Sequence, residues 1–167
     1  VSLIGQHPAT KTQRLTLLTH QKQQPLEFPL ESSDTKGPIS LLWVTTKSHA
    51  VLDAVTRLSH RFTTETVVVT VSNGMGYHNA LSTLVSGRLV AGSTTAGCSS
   101  PNTQTRKLAG EGATRLGWWA SAETPPDWFA QIKDTLWCND WESNIEKALL
   151  EKLAINCVIN PMTALLN

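Results

Sequence analysis

Lys152, Asn156 and Asn160 recur at four-residue steps within Ser143 to Ala164, a segment reading SNIEKALLEKLAINCVINPMTA. On a helix each such step turns about 400°, so the three side chains drift by only about 40° per step and share one face. Their neighbours Leu149, Leu153, Ala154, Cys157 and Val158 are apolar and suited to burying much of the same helix. An ammonium and two carboxamides beside an apolar stripe contribute nothing to the helix itself. They read as polar groups that converge on a ligand. Two other stretches carry suitable partners: Val44-Thr45-Thr46-Lys47-Ser48-His49 and Val71-Ser72-Asn73-Gly74-Met75-Gly76. Each leaves a predicted strand, at Lys47 and at Asn73, and open α/β sheets bind ligands at the carboxyl ends of their strands. The glycines after Asn73 allow a tight turn and a close approach of backbone to ligand.

The elements that must position these groups follow from the apolar pattern. Ile39 to Thr46 and Thr66 to Val71 have the length and β-branched content of buried strands. Between them Val51, Leu52, Val55 and Leu58 have helical spacing, with Ser48 as the expected N-cap. A second helix is expected from Tyr77 to Val85. Strand, helix, strand, helix argues for a parallel sheet with helices on its faces. Arg88 to Thr95, Gln104 to Ala109 and Thr114 to Trp119 are expected as further strands forming an antiparallel edge. Val1 to Ile4 reads as a short strand, and Arg14 to Leu18 with Leu26 to Leu30 as a small β excursion. Pro125-Pro126 opens a helix to about Leu136. Trp137 to Trp141 is a brief link, and the long helix then runs to Asn160, where Pro161 ends or kinks it.

The run Lys-Leu-Ala-Ile-Asn-Cys-Val-Ile-Asn-Pro-Met-Thr-Ala resembles the helix that joins the nucleotide-binding and substrate domains of ketopantoate reductases (2-dehydropantoate 2-reductases). The stretches at Lys47 and Asn73-Gly74 are similar to that family's strand-end motifs, in the required order. Gly92-Ser93-Thr94-Thr95-Ala96-Gly97 resembles a stretch lining its cofactor pocket. The resemblance implies a partial Rossmann-like, doubly wound α/β sheet with an antiparallel edge over residues 1–141. The start of an all-helical domain would follow over residues 142–167. It implies NADPH/NADP as cofactor and ketopantoate, a 2-oxo acid, as the small-molecule substrate. Lys152 takes the role of general acid, because a carbonyl oxygen gathers charge as hydride arrives and needs a proton donor within reach. Burial that lowers a lysine pKa suits that task. Asn73, Asn156 and Asn160 are implied in substrate binding, and Lys47, Asn73, Gln6 and Gly97 in cofactor binding.

Departures from the family pattern are as informative. No Gly-x-Gly-x-x-Gly turn opens the chain, so Val1 to Gly5 matches the family's second strand and not its first. Gln6 stands where an arginine commonly meets the 2′-phosphate of NADP; Lys11 or Arg14 could substitute. Leu150 replaces a frequent tryptophan. The chain ends at Asn167, just inside the helical domain. A chain truncated in this way is expected not to turn over ketopantoate unaided. It is also expected to self-associate through an exposed sheet edge. The alternatives are a non-catalytic remnant acting as a binding or interaction module, or a reductase for a related 2-oxo acid.

Bulk composition excludes other classes. Fourteen basic and thirteen acidic residues leave a net charge of +1, and they are dispersed, which argues against a nucleic-acid surface. Apolar runs read as too short for a membrane span, and no signal peptide is visible. A cytoplasmic protein is expected. The three cysteines (Cys98, Cys138, Cys157) form no pairing or zinc pattern and read as buried free thiols. The five histidines show no metal-ligand spacing, so no metal is expected; His49 and His78 read as solvated helix residues. The tryptophans read as packing residues.

Overall fold

The computed structural model describes residues 2–5, 11–19, 22–86, 88–110, 112–133 and 138–166, the side chains of 138 and 139 excepted. The described chain forms two compact units. One comprises Val1–Gly37 and Thr95–Ala113, the other Pro38–Thr94 and Thr114–Asn167.

The first unit is a five-stranded sheet. Its strands are β1 (Leu3–Gly5), β2 (Thr12–Leu18) and β3 (Gln23–Ser32), with two more, Gly97–Ser99 and Thr105–Gly110, contributed by the later segment. β2 and β3 form an antiparallel hairpin, β1 lies parallel to β3, and the Thr105–Gly110 strand lies parallel to β2. The small β excursion is therefore the centre of a sheet in its own right.

The second unit carries the α/β core. Its strands and helices in chain order are β4 (Leu41–Val44), α1 (Val51–Leu58), β5 (Val67–Thr70), α2 (His78–Leu84) and β6 (Leu89–Thr94). After β7 (Gly97–Ser99) and β8 (Thr105–Gly110) of the first unit come β9 (Thr114–Trp118), α3 (Asp127–Ile132), β10 (Cys138–Trp141) and α4 (Ile145–Leu166). The sheet order is β10-β9-β6-β5-β4. β4, β5 and β6 are parallel, with α1 and α2 as their connections, while β9 runs antiparallel to β6 and β10 parallel to β9. The expected antiparallel edge exists, but β6 itself belongs to the parallel set and β8 to the other sheet.

Why β5 sits at the centre is plain from its residues. Val67, Val68, Val69 and Thr70 are all buried, because both faces of a parallel strand are covered. Alternation sends Val67 and Val69 to one face, where they pack with Val90, Leu116 and Phe129 of α3, ringed by Trp43, Trp118, Trp128 and Trp141. Trp118 and Trp141 also donate their indole N–H groups to the carbonyls of Thr124 and Glu123. The reading of these tryptophans as packing residues holds for those described; Trp137 lies outside the described residues. On α1, Val51, Val55 and Leu58 are buried at helical spacing, as expected.

Several local expectations are corrected. Ser48 does not cap α1: a 3-10 turn at Ser48–Ala50 precedes the helix, and no side chain caps either element. α4 does not stop at Asn160 but continues through Pro161 to Leu166. Proline removes one N–H, yet the carbonyls near it lie on an exposed stretch. Thr163 Oγ1 donates to the carbonyls of Ile159 and Asn160 at 3.1 and 3.0 Å. At 22 residues α4 is long and apolar enough to cross a membrane by length and composition, contrary to the reading of short apolar runs. Its first turns instead bury Ile145 and Leu149 against the sheet, and Ala154, Cys157 and Val158 are exposed. Cys98 and Cys157 are exposed free thiols, not buried ones.

His78 is the largest departure. It is 2% exposed and stacked between Tyr77, with ring centroids 4.0 Å apart, and Trp119, at 4.3 Å. Its Nδ1 has no hydrogen-bond partner among the described residues. Burial therefore pushes its pKa down to about 4. A histidine kept neutral in the fold and free to protonate when unfolded destabilises the fold in acid. Stability should be undiminished above pH 6.5 and fall between pH 6.5 and 4, by roughly 3 kcal/mol at most. His78→Phe should flatten that part of the curve in urea unfolding followed across pH. Gly117 offers a second test. A Cβ there would lie 2.3 Å from the Glu142 carbonyl oxygen and 2.9 Å from Ile145 Cβ, so α4 can dock on β9 only over a bare backbone. Gly117→Ala should cost about 1–3 kcal/mol in the same assay.

Candidate active site

The carboxyl ends of β4 and β5 are joined directly. Ser72 donates its hydroxyl to the Thr46 carbonyl at 2.5 Å. Gly74, at a φ of +97°, brings its backbone against Ser48, whose Oγ would lie 3.2 Å from a Cβ at that position. A side chain there would be strained and would push the two loops apart. Asn73 is thus held beside the loop that carries Lys47, whose side chain is exposed.

α4 crosses this strand-end region, and Lys152 reaches into it. Its Nζ donates to Asn73 Oδ1 at 3.0 Å and to the Thr94 carbonyl at 2.5 Å. The ladder explains why that carbonyl is available. Trp119 N–H bonds the Leu89 carbonyl, which makes 89 and 119 a hydrogen-bonded pair of the β6–β9 ladder. Such pairs alternate, so Thr94, opposite Thr114, falls on a non-hydrogen-bonded pair and turns its carbonyl away from β9. On that side β5 has already ended, at the pair Thr70–Ala91. The ammonium takes a carbonyl at the end of β6, past the last pair that β6 forms with β5.

Lys152 is half-buried, and burial holds its pKa below the ordinary lysine value. With two of its three N–H donors committed to Asn73 and Thr94, one remains to point at a ligand. Leu149, Lys152, Leu153 and Asn156 share the helix face that lines a small pocket, closed on its other side by Ser72, Asn73 and Gly74. The sequence-predicted Lys152, Asn73 and Asn156 therefore come together. Asn160 is exposed one turn further along α4, outside that lining. Gly97 lies in β7 of the other unit, and Gln6 lies outside the described residues. The reasoning from sequence missed Thr94 as an anchor. A backbone carbonyl leaves no residue-type signal; only the parity of the ladder could have pointed to it.

The arrangement can hold a polar, oxygen-bearing ligand between carboxamides and deliver a proton from a partly desolvated ammonium. No group of His, Cys, Asp and Glu suited to a metal occurs among the described residues.

Comparison with known proteins bears on the fold and the family. The family model for ketopantoate reductase PanE/ApbA matches residues 1–121. The 2-dehydropantoate 2-reductase of Vibrio cholerae is 30% identical over 146 residues, covering 86% of this chain and 49% of the relative. That of Escherichia coli O157:H7 is 34% identical over 128 residues, covering 76% and 42%. The chain thus spans about half the length of the curated relatives it matches. Among solved structures, 2-dehydropantoate 2-reductase from Geobacter metallireducens GS-15 superposes with a TM-score of 0.73 at 21% identity, over 91% of this chain and 52% of that one. D-mandelate dehydrogenase with NADH and anilino(oxo)acetate gives 0.70 at 17% identity, over 89% and 49%. These likenesses show the fold, a Rossmann-like α/β sheet. With a lysine and asparagines drawn to the strand ends and the family model matching most of its length, the chain belongs to the ketopantoate reductase family.

Proposed function

We propose that this chain carries the proton-donating part, and part of the substrate-binding part, of a site that reduces 2-dehydropantoate to pantoate with NADPH, on the way to pantothenate and coenzyme A in the cytoplasm. The observation that carries the reading is the Lys152 ammonium bridging Asn73 Oδ1 and the Thr94 carbonyl at the carboxyl ends of two parallel strands. In this reading α4 links the nucleotide-binding part, residues 1–141, to a helical substrate domain that begins at residue 142.

The residues present fit one end of the cofactor. Asn73 and Lys47 would hold its nicotinamide and ribose side, where Gly74 and Gly76 at positive φ leave the backbone bare. Gln6 and Gly97 are proposed as further cofactor contacts, as the resemblance to the family implies. No Gly-x-Gly-x-x-Gly cradle for a pyrophosphate occurs in the sequence. When bound, the cofactor supplies hydride to the carbonyl carbon. The chain's own task is to orient the 2-oxo acid and protonate its oxygen. Asn156 and Asn160 hold the substrate's hydroxyl and carboxylate along α4. Lys152 gives up the proton not bonded to Asn73 or Thr94, and its partial desolvation makes that release easier.

Three measurements test this. In the 167-residue chain, Lys152 should titrate below the other lysines when each ε-ammonium is followed by NMR across pH 7–11. Since only the protonated amine can donate, reduction by the chimera described next should fall as pH rises through that lowered pKa; a Lys152 that titrates with the exposed lysines removes the desolvation argument. In a chimera that places this chain over the matching segment of the Vibrio cholerae relative, Lys152→Ala should lower kcat by about 10²–10⁴-fold. Unchanged kcat would take Lys152 out of the reaction. The 167-residue chain alone, given NADPH and ketopantoate, should show no NADPH oxidation.

A further inference from the structure

We infer that the hydroxyls of Thr70, Ser72 and Tyr77 hold one buried water molecule at the carboxyl end of β5; the inference goes beyond the reading of the reaction and does not rest on it. Thr70 is the last residue of β5. Alternation along the strand turns Val67 and Val69 toward Phe129 of α3, so Thr70 shares the opposite face with Val68. Tyr77 directly precedes α2, its ring stacked on His78. Burial raises the pKa of its phenol, and the Thr70 and Ser72 hydroxyls draw it back, so both stand close to the phenol oxygen. Even so, neither Tyr77 Oη nor Thr70 Oγ1 has a hydrogen-bond partner among the described residues. Thr70 is fully buried and Tyr77 only 6% exposed, so bulk solvent serves neither.

Folded proteins leave few buried hydroxyls unbonded, because each gives up its hydration with nothing in return. Two such groups close to a third oxygen are the setting in which an internal water is held, commonly by about three hydrogen bonds. The protons can be placed one by one. Ser72 gives its single hydroxyl proton to the Thr46 carbonyl at 2.5 Å, so its oxygen can only accept from anything else. Tyr77 and Thr70 each keep a proton to give. A water accepts both of these and donates one of its own to Ser72 Oγ, which serves all three oxygens at once. Direct bonds among the three would serve them too, but Tyr77 Oη and Thr70 Oγ1 do not make them. Ser72 also lines the pocket that Lys152 enters, whereas Thr70 and Tyr77 lie outside that lining. The water is thus bonded to one residue of the pocket wall and to two behind it in the core.

Magnetic relaxation dispersion of the solvent water, recorded on the 167-residue chain, counts the waters that stay inside the protein. The Tyr77→Phe/Thr70→Val double variant keeps both shapes and removes both proton donors. It should lose one such water relative to the parent. Each single variant should raise the equilibrium constant for urea unfolding about twofold to tenfold, the worth of one net hydrogen bond. The double variant should raise it by less than the product of the two, because the hydroxyls share one partner. A folded double variant that retains the parent's count overturns the inference, since directly bonded or bare hydroxyls have no water to lose. Single variants that are neutral or more stable than the parent overturn it as well, since only unbonded hydroxyls are removed at no cost. If the double variant does not fold, a crystal structure of the parent decides. An ordered water about 2.6–3.2 Å from Tyr77 Oη, Thr70 Oγ1 and Ser72 Oγ sustains the site, and hydroxyls bonded to one another or left bare overturn it.

Discussion

A single ammonium holds the strand ends and the last helix in one arrangement. Lys152 leaves α4 and takes acceptors from two different strand termini, a carboxamide after β5 and a carbonyl at the end of β6. The ammonium in turn gives up water for them, and burial lowers its pKa as a result. A group whose charged form is disfavoured by its surroundings, and whose remaining proton faces a pocket, is placed to release that proton. Structure and reactivity come from the same two contacts.

The close approach this requires is arranged by small residues. Gly117 lets the start of α4 lie against β9, and Gly74 lets the turn after β5 close on the loop after β4. Behind them the stacked Tyr77, His78 and Trp119 fill the space under the start of α2, and Trp119 Nε1 donates to Asn79 Oδ1 at 3.0 Å. Burial pushes the Tyr77 phenol pKa up and the His78 pKa down, so both rings are neutral across the ordinary range. The stack is aromatic and uncharged.

Much of this was legible in the residues. The β-branched run of β5, the helical spacing of α1, and Lys152 and Asn156 one helical turn apart each point to their observed place, while Asn160 on the same stripe lies outside the pocket lining. The residues that misled did so for physical reasons. His78 carries a polar ring, yet between two aromatic faces an imidazole packs as an aromatic. Pro161 breaks a helix where the carbonyl it leaves without an N–H is buried, whereas here that residue, Cys157, is exposed. Ala154, Cys157 and Val158 look like core residues by type, but only the first turns of α4 meet the sheet. The anchor at Thr94 was out of reach because the sequence records side chains, and that contact belongs to the backbone.

The β-rich unit is assembled from two pieces of chain with the whole of β4 to β6 between them. Its parallel pairing of Thr16 with Thr105 closes a loop of roughly ninety residues, an entropic demand of about 4 kcal/mol from loop length alone. The β2–β3 hairpin needs no such closure, and neither do the parallel pairings of β4, β5 and β6, whose partners are near in sequence. Folding therefore has a natural order: local hairpin and α/β core early, the β2–β8 seam late. The last seam to zip is also the slowest to recover when the chain is pulled apart, which makes the middle of the β-rich sheet the kinetic weak point of an otherwise locally built protein.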